Sequence, residues 1–201
     1  SHTGLPLVDK SLAELEKLEL LPFKKAMDAG VDLLMTAHIQ YPQIEKDQVV
    51  SKETGEKIYV PATLSDDILT GLVRKKYGYK GVIVSDAMGM DAIAKNFGEV
   101  EAVKMAIKAG VDLVLMPTTL RSKTDLSKID TIVDEVVRAV QTGDISEERL
   151  NESVRRILTL KEKRGVLNFD PSARTAEKAE EAVGSTLNRD LERKIAAAAV
   201  T

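Results

Sequence analysis

An internal repeat constrains the fold of this chain more than any other feature of its sequence. Lys25-Ala26-Met27-Asp28-Ala29-Gly30-Val31-Asp32-Leu33-Leu34-Met35 recurs as Met105-Ala106-Ile107-Lys108-Ala109-Gly110-Val111-Asp112-Leu113-Val114-Leu115. In each copy a helical run meets a glycine, the residue that tolerates the left-handed conformation after a helix end, and a short apolar run follows at once. The pattern predicts helix, tight turn and buried strand. A third apolar run, Val82-Ile83-Val84, follows Lys80-Gly81 and a helical segment that starts at the N-cap candidate Ser65 and ends near Gly78. Helices alternating with short, continuously apolar strands predict parallel strands covered by helices and joined by right-handed crossovers, an α/β fold.

The repeat also sets a scale. Gly110 − Gly30 is 80 residues and holds two units, about 40 each, so an eight-unit barrel would need on the order of 320 residues. The chain has 201. It is therefore either a small open α/β domain or the C-terminal part of a barrel whose first strands lie elsewhere. The first residues, Ser1-His2-Thr3-Gly4, lack both Met and a signal pattern, and 195–201 ends without a helix cap. Both ends read as cut from something longer.

After Met116-Pro117 the sequence turns helical. Apolar residues at 129, 132, 133, 136, 137 and 140 predict one helix over 125–142. Ser146-Glu147-Glu148 caps a second that stops at Gly165. The stretch 168–173, with Asp170-Pro171, reads as a linker, and the last segment as two helices separated near Gly184. This gives a domain over 1–167 and a helical segment over 168–201.

Composition narrows the function classes. Lys+Arg 29 against Asp+Glu 32 is too balanced to predict a basic face for nucleic acid or an anionic membrane. No apolar run reaches the 18 or so residues of a membrane span. With no Cys there are no disulfides, thiolate metal sites or thiol nucleophiles, though compartment does not follow from that. With only His2 and His38, and no carboxylates beside them at ligand spacing, no metal pattern is present. Gly78-Tyr79-Lys80-Gly81 precedes a strand, the wrong order for a phosphate-cradling loop that must open a helix. Ser85 lacks the G-x-S-x-G elbow of a serine nucleophile. No cofactor is expected.

In parallel α/β folds ligands meet the carboxyl ends of the strands. The runs Leu33 to His38, Val82 to Met90 and Leu113 to Pro117 therefore place His38, Asp86 and Met116 on one rim. Asp86, directly after an apolar strand and before Gly89, is either the acid at the mouth of a site or the N-cap of the next helix. His38 could bind ligand, donate a proton or hold a loop carbonyl, and a lone His favours the last. Met88, Met90 and Met116 read as pocket wall or core. Asp32 and Asp112 recur in the repeat, but they lie at the strand starts and read as turn-fixing residues.

Gly81-Val82-Ile83-Val84-Ser85-Asp86-Ala87-Met88-Gly89-Met90 resembles the nucleophile segment of family 3 glycoside hydrolases, in particular the bacterial β-N-acetylglucosaminidases. The likeness extends through Ser1-His2-Thr3-Gly4-Leu5-Pro6, similar to the end of that family's Asp-Ser-His loop, and Met35-Thr36-Ala37-His38, similar to the next strand end. It continues in Pro61-Ala62-Thr63-Leu64-Ser65, and in Ser153 to Leu158 with Lys163-Arg164-Gly165, which resemble the helix that closes the barrel domain.

The resemblance implies a (β/α)₈ TIM-type barrel of which this chain supplies about strands six to eight, followed by a helical linker toward a second α/β domain. It implies Asp86 as the nucleophile of a retaining reaction that passes through a covalent glycosyl-enzyme. It implies His2 as the acid/base, partnered by an Asp that would precede Ser1. A His, titrating near neutrality, can protonate a leaving oxygen and then deprotonate water. His38, Met88, Met90 and Met116 become substrate-binding candidates. The substrate implied is a terminal β-linked N-acetylglucosaminide of peptidoglycan or chitin origin. Alternatives are a β-glucosidase or β-xylosidase of the same family, or a non-catalytic α/β module in which Asp86 only caps a helix. The chain alone is expected to be inactive and to need the upstream half of the barrel as its partner.

Overall fold

Local sequence signals set the first elements. In the computed structural model, which describes residues 4–168, 170–171 and 175–199, α1 (Leu12–Lys17) starts at Ser11, whose hydroxyl accepts from the Glu14 N–H while the Glu14 carboxylate accepts from the Ser11 N–H. Then α2 (Leu21–Asp28) runs into Gly30 at φ +80°. The second copy of the repeat ends its helix the same way, at Gly110 with φ +128°. In both, the residue after the glycine donates its N–H five positions back, Val31 to Ala26 and Val111 to Ala106, each at 3.0 Å. These bonds satisfy carbonyls that a helix end leaves unpaired.

The strands after the two turns differ. β1 (Leu33–Met35) pairs in parallel with the run at 82–84, Leu33 opposite Val82 and Met35 opposite Val84. Its exposure alternates: Leu33 and Met35 are exposed and Leu34 packs against the core, so the fully buried strand expected here is covered on one face only. An antiparallel hairpin that the sequence reading did not include, β2 (Gln48–Val50) with β3 (Lys57–Tyr59), lies in the following connection. Its signal was there in the short run Gln48-Val49-Val50, the turn at Thr54-Gly55 and the run Ile58-Tyr59-Val60.

The helix expected from Ser65 is present in a wider form. A 3₁₀ turn at Ala62–Leu64 leads into a π-helix over Asp67–Lys76. The Ser65 hydroxyl accepts from the Ile68 N–H at 3.1 Å, and Tyr77 donates five positions back to the Leu72 carbonyl at 2.9 Å. β4 (Val82–Val84) follows with Val82 and Ile83 buried, and Ile83 shares one core with residues of this helix and of α3 (Asp91–Phe97) and α4 (Glu99–Ala109). Ile83, Met88, Ile93, Ala102 and Ala106 have no exposed surface and form the centre of the core.

The third expected strand is reduced to one parallel bridge, Val84 to Leu113. Side chains explain the loss, because they occupy positions that a backbone ladder would use. The Asp112 carboxylate accepts the Ile83 N–H at 2.9 Å, and the Ser85 hydroxyl accepts the Leu115 N–H at 2.9 Å. The backbone N–H groups of Asp112 and Leu113 share the one carbonyl of Ile83.

α5 (Leu126–Gln141) and α6 (Glu147–Lys163) follow, the second capped by Ser146, whose hydroxyl accepts from the Arg149 N–H at 3.2 Å. Residues 1–160 form one compact unit and residues 161–201 another. Within the second, α7 (Ala176–Val183) is capped by Thr175, and Gly184 separates it from α8 (Thr186–Ala199). Of the expected linker, Phe169, Ser172 and Ala173 lie outside the described residues.

Gly81 is fixed by space. A Cβ there would sit against the Tyr79 hydroxyl and 2.8 Å from the Asp32 carbonyl oxygen. Tyr79 is buried and donates toward the Val31 and Val82 carbonyls. Gly81→Ala should therefore destabilise the fold by about 1–3 kcal/mol, as overpacking does. Calorimetric or denaturant unfolding measures this, and an unchanged midpoint would show that Tyr79 can yield.

Candidate active site

Parallel pairing in register brings two strand ends side by side. Since Met35 stands opposite Val84, the residues Thr36-Ala37-His38 leave the sheet beside Ser85-Asp86-Ala87, and the Thr36 N–H donates to the Val84 carbonyl at 2.9 Å. The loop 85–90 is tied on its other flank to the segment after Leu113. The N–H groups of Met88 and Gly89 donate to the carbonyls of Leu115 and Met116 at 3.0 and 3.1 Å. Met116 takes a left-handed φ of +45°, uncommon for a side chain of its size.

Asp86 is half-buried at the carboxyl end of β4, and its Oδ1 accepts from the N–H of Ala87 at 2.7 Å. It does not cap the next helix. The cap position of α3 is Met90, which makes no side-chain cap bond. The carboxylate is thus placed on the rim and is not consumed by helix capping.

His38 is fully buried. Its Nε2 is 3.0 Å from the Ala87 carbonyl and its Nδ1 is 2.9 Å from the Thr63 hydroxyl, which is 2.8 Å from that of Thr36. Burial lowers the pKa of the ring, outweighing the Ala87 carbonyl and the Asp86 charge, which favour the imidazolium. The geometry is that of a residue holding a loop carbonyl.

The residues expected on the rim therefore divide. Met116 is exposed and Met90 half-buried, whereas Met88 and His38 have no exposed surface and offer none to a ligand in this structure. His2 lies outside the described residues. Thr36 and Thr63 complete the environment of His38 and were not singled out in the sequence. Thr36 had a local signal, two residues before His38 on the same strand end, but Thr63 comes into contact only through folding. Among the described residues no three His, Asp or Glu side chains gather as a metal site, and no helix is long and apolar enough to cross a membrane.

At the opposite end of the strands, Asp112 does more than fix a turn. Its carboxylate receives Arg74, Arg149 and Arg156 together with the Ser153 hydroxyl and the Ile83 N–H. This ties the π-helix, β4 and α6 to one buried charge.

Comparison with known proteins gives the family of the chain. Over 202 aligned residues the chain is 37% identical to beta-hexosaminidase A of Pseudoalteromonas piscicida, covering 100% of this chain and 33% of that protein. It is 34% identical over 116 residues to a beta-hexosaminidase of Chromobacterium violaceum, 58% of this chain and 29% of that one. A solved glycoside hydrolase family 3 beta-N-acetylglucosaminidase from Paenibacillus sp. str. FPU-7 superposes with a TM-score of 0.74 at 37% identity, over 88% of this chain and 30% of that structure. The chain thus spans about a third of the length of these relatives. Residues 1–160 match the family described as the glycosyl hydrolase family 3 N terminal domain. By that match the chain belongs to glycoside hydrolase family 3, and residues 1–160 to its N-terminal domain, a TIM-barrel-type fold.

Proposed function

We propose that this chain carries about strands six to eight of the family's (β/α)₈ barrel and that, with the upstream half of the barrel, it removes terminal β-linked N-acetylglucosamine from peptidoglycan- or chitin-derived saccharides. The observation that carries this reading is the position of Asp86, a carboxylate at the carboxyl end of a parallel strand, in a loop braced on both sides and left free of helix capping. Likeness over most of this chain to a solved beta-N-acetylglucosaminidase supports the N-acetylated sugar. The exposed apolar residues Leu7, Leu33 and Met35 support a missing partner, since such a face requires cover. Residues 168–201 read as the linker toward a second α/β domain.

In this reading the Asp86 Oδ2 attacks the anomeric carbon and forms a glycosyl ester, while His2 protonates the departing glycosidic oxygen. Neutral His2 then takes a proton from water, whose oxygen attacks the same carbon, and Asp86 leaves as the carboxylate. Two inversions give net retention. Met90 and Met116 would wall the sugar, and no metal or cofactor is called for.

The test uses the full-length protein with Asp86→Gly, a dinitrophenyl N-acetyl-β-glucosaminide and added azide. Azide entering the vacated space should displace the phenolate in a single inversion and give the α-glycosyl azide. A β-azide, or no rescue with substrate turnover intact, would remove Asp86 from the nucleophile role. If the unsubstituted protein instead prefers the 2-hydroxy glycoside, the substrate is that of a β-glucosidase or β-xylosidase.

A further inference from the structure

The loop that presents Asp86 is held by a relay of hydrogen bonds that begins on a neighbouring strand end. Thr36 meets Thr63 at 2.8 Å, Thr63 meets the His38 Nδ1 at 2.9 Å, the His38 Nε2 meets the Ala87 carbonyl at 3.0 Å, and the Ala87 N–H reaches the Asp86 Oδ1 at 2.7 Å. Thr36, Thr63 and His38 are all buried. Chemistry fixes the direction of each step. A carbonyl only accepts, so the Nε2 of His38 bears the hydrogen. Burial favours the neutral ring, so Nδ1 has a lone pair and Thr63 donates to it. Having spent its only hydrogen, Thr63 accepts from Thr36.

Resting on the reading of Asp86 as nucleophile, we infer that His38 is a positioning residue for it, holding the backbone at Ala87 so that Oδ1 is occupied and Oδ2 is the oxygen turned toward the anomeric carbon. Residue Ala87 is the link, because its N–H, in the peptide bond from Asp86, binds the carboxylate and its C=O, in the next peptide bond, binds the imidazole. Rotation about the terminal bond of an aspartate is broad, and without a fixed partner the attacking oxygen samples unproductive orientations. Attack requires an approach of about 3–3.5 Å with aligned orbitals, and misplacement of about 1 Å can cost roughly 100-fold. Histidine suits the position because one side chain must accept from a hydroxyl at one ring nitrogen and donate to a carbonyl at the other. Asparagine reproduces only the first contact and glutamine only the second.

The experiment measures kcat and KM of the full-length protein on the best aryl β-glycoside of the unsubstituted enzyme, with competent sites counted from the amplitude of covalent trapping by a fluorinated glycoside. For His38→Asn, kcat per competent site should fall about 30–100-fold with KM within about 3-fold, whereas His38→Gln, which still donates to Ala87, should stay within about 5-fold. Equal kcat per competent site in both variants overturns the assignment. So does a loss confined to melting temperature or to the number of competent sites, which would make His38 a packing residue. A β-azide from Asp86→Gly, or absent rescue with its substrate turnover intact, removes the nucleophile reading and this one with it. Successful rescue with a normal His38→Asn removes only the positioning role.

Discussion

Asp86→Asn in the full-length protein should lower kcat/KM on an aryl N-acetyl-β-glucosaminide by at least about 10⁴-fold, roughly 5.5 kcal/mol of transition-state stabilisation. The melting temperature should move by less than about 2 °C, because the substitution is close in shape and nearly neutral where the side chain is only half-buried. The asparagine carbonyl oxygen can still accept from the Ala87 N–H, so the loop keeps its brace. What disappears is the charged second oxygen, and an amide cannot form the glycosyl ester. The substitution does not disturb helix capping either, since α3 is capped at Met90 without a side-chain bond. Retention of more than about one percent of activity would exceed what a lost nucleophile permits and reduce Asp86 to a turn residue.

Elements fixed by neighbouring residues were readable from the sequence, and those fixed by distant ones were not. The turns at Gly30 and Gly110, the cap at Ser146 and the break at Gly184 follow from residues within a turn of one another. The rim shared by His38 and Asp86 follows from two apolar runs and the rule that parallel strands end on one side. The third strand could not be foreseen as a single bridge, because its ladder positions are taken by the side chains of Asp112 and Ser85. The choice between π and α geometry over Asp67–Lys76 also left no periodic trace, since both bury a similar stripe. His38 shows the same division: its sequence context favours the loop-holding role, but its partners, the Ala87 carbonyl 49 residues away and the Thr63 hydroxyl 25 residues away, meet it only through folding.

Asp112→Ala should be the most destabilising of these changes, by about 3–5 kcal/mol. The carboxylate has a side-chain exposure of 0%, and the guanidinium groups that converge on it, Arg74, Arg149 and Arg156, are exposed by only 12%, 15% and 25%. Removing it leaves three close positive charges without their common partner and strips the Ile83 N–H and the Ser153 hydroxyl of an acceptor. Asp112→Asn keeps an acceptor oxygen and loses only the charge, so it should cost less, about 2 kcal/mol. Burial by itself would raise the pKa of this carboxyl, but hydrogen bonds from Ile83 and Ser153 and the charges of Arg74 and Arg156 hold it below the usual 3.8. A depressed folded pKa gives stability that is present above the unfolded value and lost as pH falls through the folded one. The gap between wild type and Asp112→Asn should therefore be constant near neutrality and close only well below pH 4, as read by denaturant unfolding at a series of pH values. A gap that closed already between pH 7 and 5 would assign the effect to another group. Because Asp112 lies at the strand starts and Asp86 at their carboxyl ends, the destabilised variant should keep its KM wherever it is still folded, separating what holds this fold from what reacts on it.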